Sequence, residues 1–314
     1  MQTKANDILN EIKKVVIGKD EKIARVLMAI LAGGHVLIED VPGVGKTTLA
    51  LAFSKALGLD YNRTQFTPDV VASDIVGFSM YDKESGRFTF REGSVFCNLF
   101  LADEINRTSS KTQSALLEVM EEGQVTVDGQ TYVLPKPFTV IATQNPAGSA
   151  GTQLLPNAQL DRFLIRLTMG YPDFDSQIEI LRDRQIGNPI DTVENAVSAK
   201  ELLSMQQQAA AVHTADELLA YITRLAEASR SHPMVTLGIS PRGAIAVLRM
   251  AKACAFVEGR DYVLPKDVQD VFVDVCGHRI LLGSRAKVSE KSAEDILREI
   301  LEKEEVESGM WEKR

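Results

Sequence analysis

The chain has 314 residues, 45% of them hydrophobic and 25% charged, with 43 acids against 35 bases and a formal net charge of −8. That length holds two ordinary domains with a sizeable core in each, and the acid excess disfavours a duplex-binding protein, which needs a basic face. Cys97, Cys254 and Cys276 lie far apart without CxxC spacing, which reads as buried thiols and argues against a disulfide or zinc framework.

Residues 1–14, MQTKANDILNEIKK, set Asp7 and Glu11 among apolar positions. This is the pattern of an amphipathic helix and not of a signal peptide. The apolar stretch at 26–38 contains two glycines and a histidine. It falls short of the roughly 20 residues a bilayer requires, so no membrane span is expected and the cytoplasm is the default compartment. His35 reads as a packed or capping residue.

From about 34 to 170, apolar runs alternate with helical patterns. HVLIED (35–40) is a short strand, and KTTLALAFSKALG (46–58) is a helix ending at Gly58, a natural C-cap. NLFLADE (98–104) is a second strand, SSKTQSALLEVMEEG (109–123) a helix closed by Gly123, and FTVIATQNP (138–146) a third strand. Such alternation builds a parallel sheet with helices on both faces. Two hairpins interrupt it. GFSMYDKESGRFTFREGSV (77–95) turns at Ser85-Gly86, and GQVTVDGQTYVLP (123–135) turns at Asp128-Gly129.

After Pro172 helices dominate, which places a boundary there: an α/β unit over 1–172 and a helical unit over 173–314. Ser198 with Glu201 and Thr214 with Glu217 fit capping boxes, and Ser240-Pro241 fits an N-cap followed by proline. Residues 292–306 form a charged amphipathic helix, and Trp311 beyond it reads as a docking or packing residue.

Gly45-Lys46-Thr47, between a strand and a helix, has the context of a phosphate-binding loop. Backbone N–H groups at the helix start point at phosphate oxygens. Lys46 would reach the β and γ phosphates of a nucleotide, and the Thr47 hydroxyl would ligate Mg²⁺. Asp40 stands where the usual pattern has its first glycine. Its carboxylate must turn away from the phosphates, toward backbone N–H groups of the turn, while Gly43 and Gly45 keep the backbone nearest the ligand flexible. The strand ending in Asp103-Glu104 buries two acids at a cost unless a cation or water receives them. Asp103 is the expected Mg²⁺ partner and Glu104 the base that polarises the attacking water. Asn145 either holds that water or merely forms the turn before Pro146. No histidine lies at metal spacing from cysteines or acids, so no transition-metal site is expected.

EDVPGVGKTTLA (39–50), RTQFTPDVVASDIVG (63–77), FLADEINRTSSKTQSALLEVMEEGQVTVDG (100–129), TVIATQNPAGSAGTQLLPNAQLDRFLIRL (139–167) and GISPRGAIAVL (238–248) together resemble the AAA+ ATPases, in particular the MoxR family. The resemblance covers nearly the whole chain. It implies a P-loop α/β domain with inserted β-hairpins, followed by an all-α lid. It makes Pro42, Gly43, Val44, Gly45, Lys46, Thr47 and Thr48 the ATP loop, Asp103 and Glu104 Walker B, and Asn145 sensor one. Ile17-Gly18 match the segment packed on adenine. Arg162 matches the arginine finger that reaches a neighbouring subunit's γ-phosphate, with Arg166 as its possible partner or substitute. Arg242 matches sensor two, reaching from the helical domain to the nucleotide. Arg107 is open between an ion pair and an interface contact. The hairpins at about 78–92 and 124–135 match the helix-two insertion and the pre-sensor-one hairpin.

The resemblance further implies a homo-oligomeric ring, a hexamer with ATP in its interfaces. The ring would remodel or mature a client protein or complex, often one with a von Willebrand factor A domain, sometimes inserting a metal cofactor. A magnesium-chelatase-like subunit is a close variant. A nucleic-acid motor is disfavoured, because the tip VDGQT carries Asp128 and no base and DKESGR is mixed. A non-hydrolysing P-loop protein would show a damaged Glu104 or missing arginines, and all are present.

Overall fold

The computed structural model describes residues 2–84, 86–145 and 155–304. Trp311, Pro146 and the Ser85 turn position lie outside them. The chain opens with α1 (Gln2–Lys13) and α2 (Asp20–Leu31), then β1 (Val36–Glu39), α3 (Lys46–Ala56), β2 (Tyr61–Gln65) and α4 (Ala72–Val76). The first hairpin, β3 (Gly77–Asp82) and β4 (Arg87–Glu92), precedes β5 (Leu99–Asp103) and α5 (Ser110–Glu122). The second hairpin, β6 (Gln124–Val127) and β7 (Gln130–Val133), leads to β8 (Thr139–Gln144), α6 (Asn157–Leu160) and β9 (Ile165–Leu167). The remainder is α7 (Phe174–Ile186), α8 (Ala199–Ala210), α9 (Asp216–Ser231), β10 (Val235–Leu237), α10 (Pro241–Val257), α11 (Pro265–Cys276), β11 (Leu281–Leu282), α12 (Ser284–Val288) and α13 (Ala293–Lys303).

Five strands form one parallel sheet in the order β2-β5-β8-β1-β9. The three expected strands take its middle. Every residue of β5 and β8 is buried, as continuous apolar runs in a sheet covered on both faces must be. Successive side chains point to opposite faces. Leu37, Phe100 and Val140 join a cluster with Leu116 and Phe163, whereas Ile38, Leu101 and Ile141 join another that takes in Ile8, Leu27, Val247 and Phe272. The second cluster runs unbroken from the N-terminal helices through the sheet into the C-terminal helices. Because all five strands are parallel, their C-terminal ends gather Asp40, Asp103 and Asn145 at one edge.

Both inserted hairpins are present. Asp128 (φ 51°) and Gly129 (φ 77°) take the left-handed pair of a two-residue turn. Phe90 of β4 stacks on Tyr132 of β7, with centroids 3.8 Å apart and planes at 13°, which fastens one hairpin to the other.

The lid region is helical as expected, with one short antiparallel pair, β10 with β11. One local expectation is corrected. Thr214 does not cap α9; Ala215 holds the N-cap position and the Thr214 hydroxyl is buried without a partner. The reason lies in the preceding residue. His213 donates to Asp261 O (2.8 Å) and accepts from Val263 N–H (3.0 Å), so a bridge to the next segment holds the chain extended there. Ser198–Glu201 and Ser240 cap as expected. Among the described residues no helix is long and apolar enough to cross a membrane.

Candidate nucleotide site

β1 delivers the chain into residues 40–45, where Gly43 (φ 88°) and Gly45 (φ 90°) both take left-handed backbone that a side chain would strain. A Cβ on either would meet nothing within 4 Å, so the loop is open toward its ligand side. Pro42 is exposed, while Val44, Thr47 and Thr48 are half-buried along the loop and the first turn of α3. Asp40 turns inward as its charge requires. Its Oδ1 accepts from Val41 N–H (2.7 Å) and its Oδ2 from Gly170 N–H (2.6 Å), which ties the loop to the segment after β9. Lys46 is buried and donates to Asp40 O at 2.6 Å. Burial pushes its ammonium below the ordinary lysine value, and the charges of Asp40, Asp103 and Glu104 oppose that. Gly18 and Lys19 meet the segment after β9, to which Asp40 is also tied. Lys19 Nζ donates to Tyr171 O (2.8 Å), and a Cβ on Gly18 would collide with Ser176 at the head of α7.

Two strands away, the Thr143 hydroxyl donates to Asp103 Oδ1 (2.6 Å), and the Glu104 N–H donates to the same hydroxyl (2.8 Å). Glu104 sits at φ 57°, ψ 47°, an uncommon conformation for a residue with a side chain. Its Oε1 accepts from Asn145 Nδ2 (3.0 Å), and its Oε2 from Gln65 (2.7 Å) and Arg107 (2.8 Å). Partial burial raises the Glu104 carboxyl, but the bonds from Arg107 and Asn145 outweigh it and hold the group below the ordinary value. Asn145 is itself oriented by Asn106, whose Oδ1 accepts its N–H (3.3 Å) and whose Nδ2 donates to its carbonyl (3.1 Å). The Asn145 Oδ1 is buried with no partner among the described residues.

Arg162 and Arg242 do not join this group. Arg162 and Arg242 both pair with Glu121, at 3.3 and 2.8 Å, and Arg242 Nε lies 3.8 Å from Asp161 Oδ2. Glu121 lies in the last turn of α5 near His35, whose Nε2 donates to Met120 O (2.9 Å) and whose Nδ1 accepts from Val140 N–H (3.0 Å). Burial pushes that imidazole down to about 4, so it is neutral, and it is the packed residue expected. A cavity of about 310 Å³, lined by Gly34, His35, Glu121, Arg162, Arg242 and Arg249 among others, marks this end of the molecule. It lies before β1, whereas the phosphate loop follows β1, a strand of about 13 Å. Arg242 therefore lies at the opposite end of β1 from the phosphate loop of its own protomer. Arg166 bridges Glu39 (3.2 Å) and Glu294 (2.9 Å), an internal tie between β1 and α13, and Arg107 is the ion-pair partner of Glu104.

Residues 35–165 match the family model described as ATPase family associated with various cellular activities (AAA), and residues 227–300 match the AAA lid domain. The chain is 39% identical over 301 residues to Chaperone MoxR1 of Mycobacterium tuberculosis, covering 93% of this chain and 79% of that one. It belongs to the MoxR family of AAA+ ATPases. The MoxR-family chain is also 46% identical over 293 residues to protein YeaC of Bacillus subtilis, covering 93% and 92%. The crystal structure of a candidate ATPase from Cytophaga hutchinsonii, 39% identical, superposes with a TM-score of 0.90 over 97% of this chain and 95% of that one.

Several polar groups of this MoxR-family site escape a reading of the sequence. Arg63 Nη2 and Nε donate to Asp103 Oδ2 (2.7 and 3.2 Å), and Gln65 holds Glu104. Both come from β2, whose alternation of Arg63 and Gln65 toward one side was the available signal. Thr143, two residues before Asn145, joins the two acids through one hydroxyl.

Proposed function

We propose that this MoxR-family chain binds and hydrolyses ATP at the interfaces of a homo-oligomeric ring, a hexamer, and that the cycle drives remodelling or maturation of a client protein or complex. The observation that carries this reading is the separation of parts: Lys46, Asp103, Glu104 and Asn145 share one edge of the sheet, while Arg162 and Arg242 share the other end. Neither arginine serves its own loop, so each is available to a neighbour's γ-phosphate. In this reading sensor two acts in trans beside the finger.

The residues fit the nucleotide. The glycine cradle is open, Lys46 holds only a backbone carbonyl, and the Asn145 oxygen waits for a donor such as water. Thr47 and Asp103 would hold Mg²⁺, which when bound neutralises charge on the transferring phosphoryl group. Asp103 must first release Arg63. Glu104 serves as base only after Gln65 and Arg107 let go of Oε2; its Asn145 contact on Oε1 then keeps it aimed. The held state is thus a resting state in which the base is engaged by cations and amides.

A protein client is supported by the first hairpin, which exposes Phe78, Met80, Tyr81 and Phe88, the last 74% exposed. Apolar side chains grouped on a protruding ribbon suit protein contact better than a phosphate backbone. The name Chaperone MoxR1 points the same way. We read residues 1–172 as the nucleotide-binding unit, residues 173–314 as the lid, and the cytoplasm as the compartment. A client with a von Willebrand factor A domain belongs to the same reading.

Mixing subunits tests it. Arg162→Ala and Glu104→Gln are each expected to hydrolyse at least about a hundredfold more slowly than wild type. A mixture should recover hydrolysis, because Glu104→Gln protomers lend an intact finger to Arg162→Ala sites. An inert mixture would refute action in trans.

A further inference from the structure

The loop that carries Arg162 is moored from the helical region. Arg279 follows α11, and its side chain is only 3% exposed. Its Nε donates to Asp161 Oδ1 (2.7 Å), its Nη2 to Phe163 O (2.7 Å) and Asp161 O (3.3 Å), and its Nη1 to Leu164 O (3.1 Å) and to Val275 O. Beside it, His278 Nε2 lies 3.0 Å from Phe163 O and 2.8 Å from Arg279 Nη1. Burial holds that imidazole neutral. Residues 161, 163 and 164 are thereby fixed on both flanks of Arg162. The Arg162 guanidinium itself is left outside this mooring; among the described residues it pairs with Glu121 and donates to Ala158 O at 3.4 Å.

Burying a guanidinium costs several kcal/mol unless its donors are met. Met here, they serve one short loop: every bond Arg279 makes outside its own helix end and His278 falls on 161–164. The planar fork is what allows this, since it spans carbonyls of successive residues that a lysine's single nitrogen could not reach together. Arg166, bonded to Glu294 of α13, adds a second tie between the sheet and the helical region nearby.

We propose that Arg279, with His278, is the positioning residue of the arginine finger: it sets the backbone that aims Arg162 at the neighbouring nucleotide and carries movement of the helical region to that finger. The inference rests on the reading of Arg162 as a finger in trans. Arg279 touches no nucleotide in this reading and acts only through the 161–164 loop.

The test compares Arg279→Gln and Arg279→Lys with Arg162→Ala in the full chain. Both Arg279 variants should bind a fluorescent ATP analogue with wild-type affinity and lose about ten- to a hundredfold in kcat, the effect of misplacing a reacting group by about an ångström. Hydrolysis should return on mixing either variant with Glu104→Gln protomers, which supply a correctly set finger. The double variant Arg162→Ala/Arg279→Gln should be no slower than Arg162→Ala alone. Wild-type kcat in a folded Arg279→Gln, or losses that multiply in the double variant, would overturn the proposal while leaving the finger in place. Wild-type turnover by Arg162→Ala would overturn the finger and this inference together. Should Arg279→Gln not fold, Asp161→Asn removes the carboxylate from the same mooring and must show the same split of kcat from affinity and the same recovery on mixing.

Discussion

Glu121 holds two arginines that the proposed ring needs elsewhere, and Glu121→Ala releases them. Its carboxyl sits below the ordinary glutamate range, chiefly through the hydrogen bond from Arg242, then the charge of Arg242 and after it that of Arg162, against a smaller rise from burial. Glu121 is 43% exposed, Arg242 48% and Arg162 30%, so water screens both pairs. Exposed pairs are worth about 0.2–1 kcal/mol each, which puts the pair of contacts at about 0.5–1.5 kcal/mol. That energy must be given up when the arginines turn to a neighbour's phosphate. Removing it should lower the protein concentration needed for ATP-dependent assembly by about two- to tenfold. Sedimentation velocity on Glu104→Gln protein with and without Glu121→Ala, at low salt, reads this directly. The difference should shrink as salt rises. Assembly that is unchanged or weaker in the Glu121→Ala protein would refute the idea that this carboxylate stores the arginines.

Lys46→Ala should abolish ATP binding measured by titration calorimetry, since a point charge on the β and γ phosphates is lost; tight binding would remove the loop from its assigned role. His35 gives a pH test. Its pKa falls from 6.5 unfolded to about 4 folded, so the unfolded chain binds the extra proton between those values. Stability from this group is complete above about pH 6.5 and is lost as pH falls toward 4, by about 3 kcal/mol at most. The pH 7-to-5 drop in Tm should be smaller in His35→Phe than in wild type, and equal drops would refute the assignment.

What the sequence reveals here follows from where each signal originates. Strands β5 and β8 are continuous apolar runs buried on both faces, and the phosphate loop is a local pattern of glycines and a lysine, so both are readable in a single pass. The inward turn of Asp40 follows from charge repulsion alone. Its partner Gly170, 130 residues on, depends on where β9 comes to rest. Strand β2 reads Tyr-Asn-Arg-Thr-Gln, a polar edge whose identity as a strand comes from pairing with β5 and not from its own apolarity. β9 has three residues, too few for a period. Arg242 was legible as a sensor-two candidate from Ser-Pro-Arg, but the end of the sheet it faces is decided by how α10 packs on α2, α8 and α11. No local pattern encodes that packing. Thr214 failed as a cap for a similar reason, because a bridge from Tyr262 took its neighbour first.

Helix α5 has 13 residues, a rod of about 20 Å. At its head is the tight turn bearing Glu104; at its tail are the acid that grips the two arginines and, one glycine later, the hairpin clasped by the Phe90–Tyr132 stack. A rod neither stretches nor bends easily, so its ends cannot keep separate time. In the proposed ring, pressure on the ribbons would arrive at both ends at once, and one piece of backbone would serve as a signal line between cargo, fuel and next-door subunit.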